Sequence, residues 1–386
     1  MVPYQPLFLL LVSLAALVLP GVSALLGIPG PVMEILFGVA IGRNLFHLQL
    51  SGQWLQLLAH LGFLLLMFHS GMEIDFGMLR RQGRSQLLFQ SMLFALTAAL
   101  SWIGTLFLAK GIFVAFVLVN SSPAMAISTL KETESGRSPL GQTLLIAASV
   151  ADFLPLFGLT GFVLWHKYGL SWRLIMPFAL FAGFALLLWA GRMWAWWNPK
   201  KVERFLGGED PSELGVRLSL AVLFLFVAMS ELAGIEPILG AFLGGCALSF
   251  VFREKSQLDN KLSALAFGFL IPIFFINVGV QLDFSHIMAP DRIVFALELI
   301  GLAFLVKLIP SLLLLLRKIS LKRALQSGAL LSSRLSLLVA AASIGIEEGL
   351  IGSELRDTLV LLVLFTCFLG PTVFKAGMKT GRKKPV

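Results

Sequence analysis

Residues 111–130 read GIFVAFVLVNSSPAMAISTL, an apolar stretch interrupted near its middle by the polar island Asn120, Ser121, Ser122 and Pro123. About 20 apolar residues are enough for a helix to span the hydrocarbon core of a bilayer. Pro123 lacks the backbone donor that a continuous helix needs, and its ring clashes with the preceding turn. The stretch therefore predicts a transmembrane helix that is broken at its centre, a feature tolerated only inside protein or beside a wet cavity.

The rest of the chain also has the composition of a membrane protein. Of its 386 residues, 58% are hydrophobic and 13% are charged, whereas about a quarter of the residues in a soluble globular protein are charged. We therefore predict an all-α integral membrane protein. Dividing the sequence at Gly, Pro and charged residues leaves thirteen predicted transmembrane helices, at residues 5–26, 30–46, 53–71, 85–108, 111–130, 140–163, 171–196, 213–233, 236–252, 262–279, 293–316, 324–346 and 357–374.

The basic residues indicate the orientation of these helices. The loops on one side hold 21 Lys and Arg residues, and the loops on the other side hold six. Because the side richer in Lys and Arg is cytoplasmic, we expect the N-terminus outside and the C-terminus in the cytoplasm of a multi-pass protein of the cell (inner or plasma) membrane. This distribution assigns the net charge of +9 to the membrane surface, so we expect no nucleic-acid partner.

An internal repeat relates the two halves of the chain. The first six predicted helices match the last six, and the single intervening helix makes the second copy inverted. Inverted repeats are typical of transporters, in which broken helices at matching positions bind substrate near the bilayer midplane. The second broken helix is therefore predicted at Ser332, Ser333 and Arg334. The matches are Leu36-x-Gly38-x-Ala40 with Leu243-x-Gly245-x-Ala247 at an offset of 207, Gly71 with Gly279 at 208, and Ser121-Ser122-Pro123 with Ser332-Ser333-Arg334 at 211.

Two ionisable residues lie near the centres of predicted helices. Asp152 is in the middle of the sixth and Lys307 is close to the middle of the eleventh, and ionisable groups at that depth are functional by default. A proton and a cation compete for one buried carboxylate, so Asp152 is predicted to be an exchange site. The alternative interpretation is a permanent structural ion pair between Asp152 and Lys307. For Arg334 we favour a structural role, in which the guanidinium caps the carbonyl groups at the break.

In order and spacing, these residues resemble the monovalent cation:proton antiporters, specifically the NapA-type sodium/proton antiporters and the membrane domains of Kef-type potassium efflux systems. The resemblance covers essentially the whole chain. It is carried by Leu61-Gly62-Phe63, Phe68, Gly71, Glu73-Ile74-Asp75, Ser121-Ser122-Pro123, Leu130-Lys131-Glu132, Leu140-Gly141-Gln142, Asp152, Pro272-Ile273-Phe274-Phe275, Gly279, Asp283 and Lys307.

The resemblance implies a fold of two inverted six-helix repeats with two broken crossing helices. It implies that core helices move like an elevator against a panel that forms a homodimer. It also implies that Asp152 carries the ion and the proton, that Ser121 and Ser122 line the crossing, and that Lys307 is the basic partner. The implied divisions are panel helices at 1–80 and 206–290, core transport helices at 81–168 and 291–378, a linker helix at 169–205 and a basic cytoplasmic tail at 379–386.

One residue departs from the family pattern. Members usually carry Asp, Asn or Gln just before the ion-site aspartate, whereas this chain carries Ala151. Electrogenic relatives pair the lysine with that first carboxylate, so Lys307 has lost its expected partner. Two stoichiometries are therefore open: electroneutral exchange at Asp152 alone, and exchange in which Lys307 also releases a proton.

The expected function is secondary active antiport of protons against a monovalent cation, Na⁺ or K⁺. The alternative is a proton- or sodium-coupled carrier of an organic solute on the same fold, for which Ala151 makes room. A membrane enzyme would need a nucleophile with a base or two facing carboxylates, and a channel needs no proton-competent carboxylate. We expect no catalytic residue, no structural metal and no cofactor, because the two cysteines lie in apolar runs and the five histidines show no ligand spacing.

Overall fold

The structure is a computed structural model, and it describes residues 5–42, 53–73, 83–108, 111–136, 138–169, 183, 186, 189–191, 193–194, 196–198, 213–232, 234, 236–251, 256–282 and 290–379. Most of the predicted linker helix 169–205 and nearly all of the basic tail 379–386 lie outside the described residues. The same holds for Ile74, Asp75 and Asp283 of the family motifs.

The described residues form helices and no strands, which confirms the predicted all-α fold. Among these residues, nine segments are long and apolar enough to cross a membrane, and three further apolar helices are shorter. The helices of the structure cover most of the length of twelve of the thirteen predicted spans, and most of the seventh span lies outside the described residues. The helices are α1 (Gln5–Leu26), α2 (Gly30–Ile41), α3 (Gln53–Met72), α4 (Arg84–Phe107), α5 (Gly111–Val119), α6 (Pro123–Glu132), α7 (Pro139–Tyr168), α8 (Leu214–Leu232), α9 (Pro237–Val251), α10 (Ser256–Leu265), α11 (Ile271–Gln281), α12 (Pro290–Ser311), α13 (Leu321–Leu331), α14 (Ser336–Glu347) and α15 (Ser353–Lys379).

Several helices begin at a proline. Pro123, Pro139, Pro237 and Pro290 are the first residues of α6, α7, α9 and α12. The first residue of a helix has no intrahelical acceptor for its N–H group, and proline already has the required φ. A proline that would break a helix in its interior therefore starts one here, which explains why the sequence boundaries agree with the structure at these positions.

The chain divides into two compact units. The first comprises residues 1–26, 33–80 and 160–281, and the second comprises residues 27–32, 81–159 and 282–386. The first contains most of the helices predicted for the panel, and the second contains most of those predicted for the core. The assignment of dimerisation and transport to these helices stays a prediction.

Glycines bring helix backbones into contact within the first unit. A β-carbon at Gly71 on α3 or at Gly245 on α9 would overlap a backbone carbonyl oxygen of the other helix. The same is true of Gly38 on α2 and Gly279 on α11. Small residues are what allow membrane helices to approach this closely. The sequence repeat matches Gly38 with Gly245 and Gly71 with Gly279, so each contact joins the two halves of the repeat and the repeat relates one contact to the other.

We expect Gly245→Ala to destabilise the protein. The added methyl group would meet the backbone of Phe68, which no rotamer change can move, so α3 and α9 must separate. Overpacking of this kind costs about 1–3 kcal/mol or more. The apparent melting temperature in detergent should fall, and Gly268→Ala is the matched control because the space around Gly268 is open. Equal melting of the two variants would contradict the expected close packing.

The second unit is built around α12, which packs against α4, α13 and α15. A cluster of buried apolar side chains from α4, α6, α7, α13 and α15 fills the space beside the two pairs of half-helices, α5 with α6 and α13 with α14. The cluster therefore holds α6 and α13 next to the two breaks between the half-helices. Its members are Leu93, Ala126, Leu130, Leu144, Ala147, Ala148, Leu330, Leu331 and Phe374.

Candidate functional site

Two helices of the second unit are broken at the predicted positions. Helix α5 ends at Val119 and α6 begins at Pro123, so Asn120, Ser121 and Ser122 are non-helical. Ser122 is extended (φ −91°, ψ 115°), as expected for a residue before proline. In the second break, α13 ends at Leu331 and α14 begins at Ser336. Each break leaves backbone carbonyl groups at a helix end without the partners that a continuous helix supplies.

The two breaks are joined by hydrogen bonds. The Ser122 N–H donates to the carbonyl oxygen of Ser333 at 2.8 Å, and the Ser121 hydroxyl donates to that of Leu331 at 2.6 Å. Both serines are buried, as are Ser332 and Ser333. The residues that the repeat places at matching positions therefore meet in one crossing.

Arg334 supplies partners for carbonyl groups at both breaks. Its side chain is fully buried, and Nη1 donates to the carbonyl oxygen of Ser332 at 2.9 Å. Nη2 donates to those of Leu118 at 2.8 Å and Ala303 at 2.9 Å. The guanidinium thus caps the C-terminal ends of α5 and α13, where the helix dipole favours a cation. This is the geometry of the structural role favoured from the sequence.

Lys307 reaches the same end of α5. It is 4% exposed, and its Nζ donates to the carbonyl oxygen of Val119 at 2.5 Å. Within the described residues no ion pair joins Lys307 to Asp152, so the structure does not show the permanent pair considered above. Lys307 and Arg334 together place two cationic groups on the last turn of α5.

Asp152 lies on α7 beside the crossing. It is 4% exposed, and Ala151, the residue before it, lines a cavity of about 10 Å³ together with Ser121 and Lys307. Ser121, Lys307 and the turn of α7 that carries Asp152 are therefore brought to one place. On either side of Ser121 in the chain, the Asn120 amide and the Ser122 hydroxyl are buried without a hydrogen-bond partner in the described part of the structure.

Comparison with known proteins decides the family. A profile of the family described as "Sodium/hydrogen exchanger, transmembrane" matches residues 10–379, nearly the whole chain. The chain belongs to this family. The resemblance drawn from the sequence motifs is thereby confirmed.

Relatives of this protein are named as antiporters. It is 32% identical over 370 residues to YjbQ of Bacillus subtilis (strain 168), provisionally named a Na⁺/H⁺ antiporter. The match covers 91% of the chain but only 59% of YjbQ. It is 26% identical over 363 residues to the Na⁺/H⁺-K⁺ antiporter GerN of Bacillus cereus, a match that covers 92% of the chain and 91% of GerN.

A solved structure shares the fold of this protein. The sodium proton antiporter MjNhaP1 from Methanocaldococcus jannaschii superposes with a TM-score of 0.68 over 97% of each chain, at 16% sequence identity. At that identity the likeness concerns the fold alone. It confirms the predicted class of all-α membrane fold with broken crossing helices.

A polar face on α4 was not predicted from the sequence. Gln90, Thr97, Ser101 and Thr105 are all buried, and two of them, Gln90 and Thr97, line the cavity that also contains Lys307. Their spacing of seven, four and four residues places them on one side of a helix, so this periodicity could have revealed them. No group of three or more His, Cys, Asp or Glu side chains suited to a metal ion occurs in the part of the chain that is described.

Proposed function

We propose that this exchanger is a secondary active antiporter that exchanges protons for a monovalent cation at Asp152. The observation that supports this most directly is the crossing itself. Two broken helices meet beside the turn that carries Asp152, and side-chain oxygens of Asn120 and Ser122 are buried there without partners in the described residues. Buried polar atoms without a hydrogen-bond partner indicate a bound ligand such as an ion or a water.

The chemistry follows from competition at one carboxylate. In surroundings of low dielectric, a carboxylate is stable when it carries a proton or faces a bound cation. One ligand must leave before the other binds, which couples the two fluxes in opposite directions. Ser121 and Ser122 contribute polar groups at the crossing, and Lys307 contributes a positive charge that opposes the entry of a second cation.

The substrate is proposed to be Na⁺ or K⁺. YjbQ is named for Na⁺ and H⁺, and the name of GerN includes K⁺ as well. The cavity at Ala151, of about 10 Å³, has room for about one water molecule. That is too little room for the organic solute that was the alternative.

The finer features of the transport cycle are part of the same proposal. Core helices 81–168 and 291–378 move as an elevator against panel helices 1–80 and 206–290, and the panel forms a homodimer. The protein lies in the cell (inner or plasma) membrane, with the N-terminus outside and the C-terminus in the cytoplasm. The excess of basic residues in alternate loops supports this orientation.

The test is exchange in everted membrane vesicles that contain the protein. After respiration has acidified the vesicles, we expect added Na⁺ or K⁺ to dissipate the proton gradient, as reported by a pH-sensitive dye. Choline chloride and vesicles without the protein are the controls. Repeating the assay with the membrane potential clamped distinguishes the two stoichiometries. A folded protein that responds to none of Na⁺, K⁺ and Li⁺ would overturn the proposal.

A further inference from the structure

The cavity beside Lys307 has an unusual set of polar atoms. Gln90 lines it, and the carbonyl oxygen Oε1 of this side chain is buried with no hydrogen-bond partner among the described residues. The orientation of the amide is fixed, because its Nε2 donates to the carbonyl oxygen of Thr143 at 2.9 Å and that oxygen can only accept. Oε1 is therefore a buried acceptor that lacks a donor among the described residues.

The hydroxyl groups in the cavity wall can also only accept. Thr97 donates its hydroxyl proton to the carbonyl oxygen of Leu93 at 2.8 Å, and Ser121 donates its own to Leu331. The donor in the wall is the Lys307 ammonium, which has three N–H groups and uses one of them on Val119. The polar residues of the cavity wall thus carry three acceptor oxygens and one donor nitrogen.

Charge and size decide what fits. A cation would face the Lys307 ammonium, and the cavity wall contains no carboxylate to offset the repulsion. The volume of about 10 Å³ corresponds to one water molecule, which leaves little room for a larger anion. Water has two donors and an acceptor, and it needs two to four polar partners. The polar groups of Gln90, Thr97, Ser121 and Lys307 are enough to bind one water.

We infer that one bound water links Lys307 Nζ to Gln90 Oε1. Ala151 lines the cavity, so the water lies beside its small side chain. The inference rests on the proposed function. Gln90 acts as a positioning residue, and its effect on exchange passes through the water to Lys307.

The water stabilises the ammonium form of Lys307, because it accepts a hydrogen bond from a charged donor. The charged groups close to Lys307 are Arg334, which donates to the carbonyl oxygen of Leu118 next to Val119, and Asp152, which follows Ala151 on α7 and does not line the cavity. The other wall residues are uncharged. A protonated Lys307 opposes cation binding at Asp152, so the water sets the pH at which exchange begins.

The test compares Gln90→Leu with Gln86→Leu. Gln86 lies one turn earlier on α4 and also donates to Thr143, through its Oγ1 at 3.3 Å, but it does not line the cavity. Gln90→Leu should move the half-maximal pH of cation-dependent exchange to lower values by about one pH unit. Gln86→Leu should move it much less. Equal shifts in the two variants would overturn the inference.

A second variant and a direct observation complete the test. Ala151→Val fills the cavity, so it should shift the pH profile in the same direction, and the Gln90→Leu/Ala151→Val double variant should shift it no further. Additive shifts would mean that the two residues act separately. High-resolution cryo-electron microscopy should show water between Gln90 and Lys307 in the wild type. Its absence there would overturn the inference even if the protein shows no exchange, and its presence would support the site independently of the transport assay.

Discussion

Asp152→Asn is expected to abolish cation-dependent movement of protons, to the level of vesicles that lack the protein. The asparagine side chain keeps the shape of aspartate, but it cannot bind or release a proton and has no charge with which to attract a cation. Both halves of the exchange are lost together, because both use the same carboxylate. The measurement is the dye signal on addition of Na⁺ or K⁺, made over a range of pH.

The control for this variant is Asp291→Asn. Asp291 is an exposed residue in the first turn of α12, so removal of its charge should leave exchange unchanged. Size-exclusion chromatography of both variants in detergent shows whether they fold. If well-folded Asp152→Asn protein still exchanged cations for protons, another residue would have to hold the proton, and the proposed mechanism would be wrong.

Arg334→Leu is expected to destabilise the second unit severely. The leucine leaves the carbonyl oxygens of Leu118 and Ser332 buried without the hydrogen bonds that the guanidinium donates. Each such loss costs about 1–3 kcal/mol, and the helix ends lose a favourable cation as well. The apparent melting temperature in detergent should therefore fall by roughly 10 °C or more, or the protein should fail to elute as a single species.

Arg323→Leu provides the comparison for Arg334→Leu. Arg323 lies in the first turn of α13, the same half-helix that ends at the second break, and it is exposed. Loss of an exposed arginine in a first helical turn should change stability little. Similar melting of the two variants would show that the buried guanidinium is dispensable, and the structural role assigned to Arg334 would have to be given up.

The breaks in the two helices could be predicted because their causes are local. Pro123 and the polar residues before it interrupt an apolar run, and the internal repeat then identifies Ser332 and Ser333 as the matching break. The helix boundaries follow from prolines and glycines that act within one turn. The fold class was therefore accessible from the sequence, and the family profile and the shared fold confirm it.

The contacts of the site could not be predicted in the same way. Lys307 and Val119 are 188 residues apart in the chain, and spacing along the sequence carries no information on such a pair. The sequence suggested the Asp152 side chain as an alternative partner for Lys307. The acceptor in the structure is instead a backbone carbonyl oxygen, a group that every residue has and that no motif identifies. The polar face on α4 was missed for a different reason. Its polar residues are separated from one another by apolar residues, so they form no continuous polar stretch like the one at Asn120.

The hydrogen bonds at the crossing bear on how an ion would be chosen. Arg334 and Lys307 already use the terminal carbonyl oxygens of α5, so these groups are not available as a fixed cage. A rigid ring of carbonyl oxygens can discriminate between alkali ions by its dimensions or field strength. The side-chain oxygens of Asn120 and Ser122, which have no hydrogen-bond partner among the described residues, rotate about single bonds. Discrimination between Na⁺ and K⁺ would then depend on how much of its hydration shell each ion gives up, and only weakly on its radius.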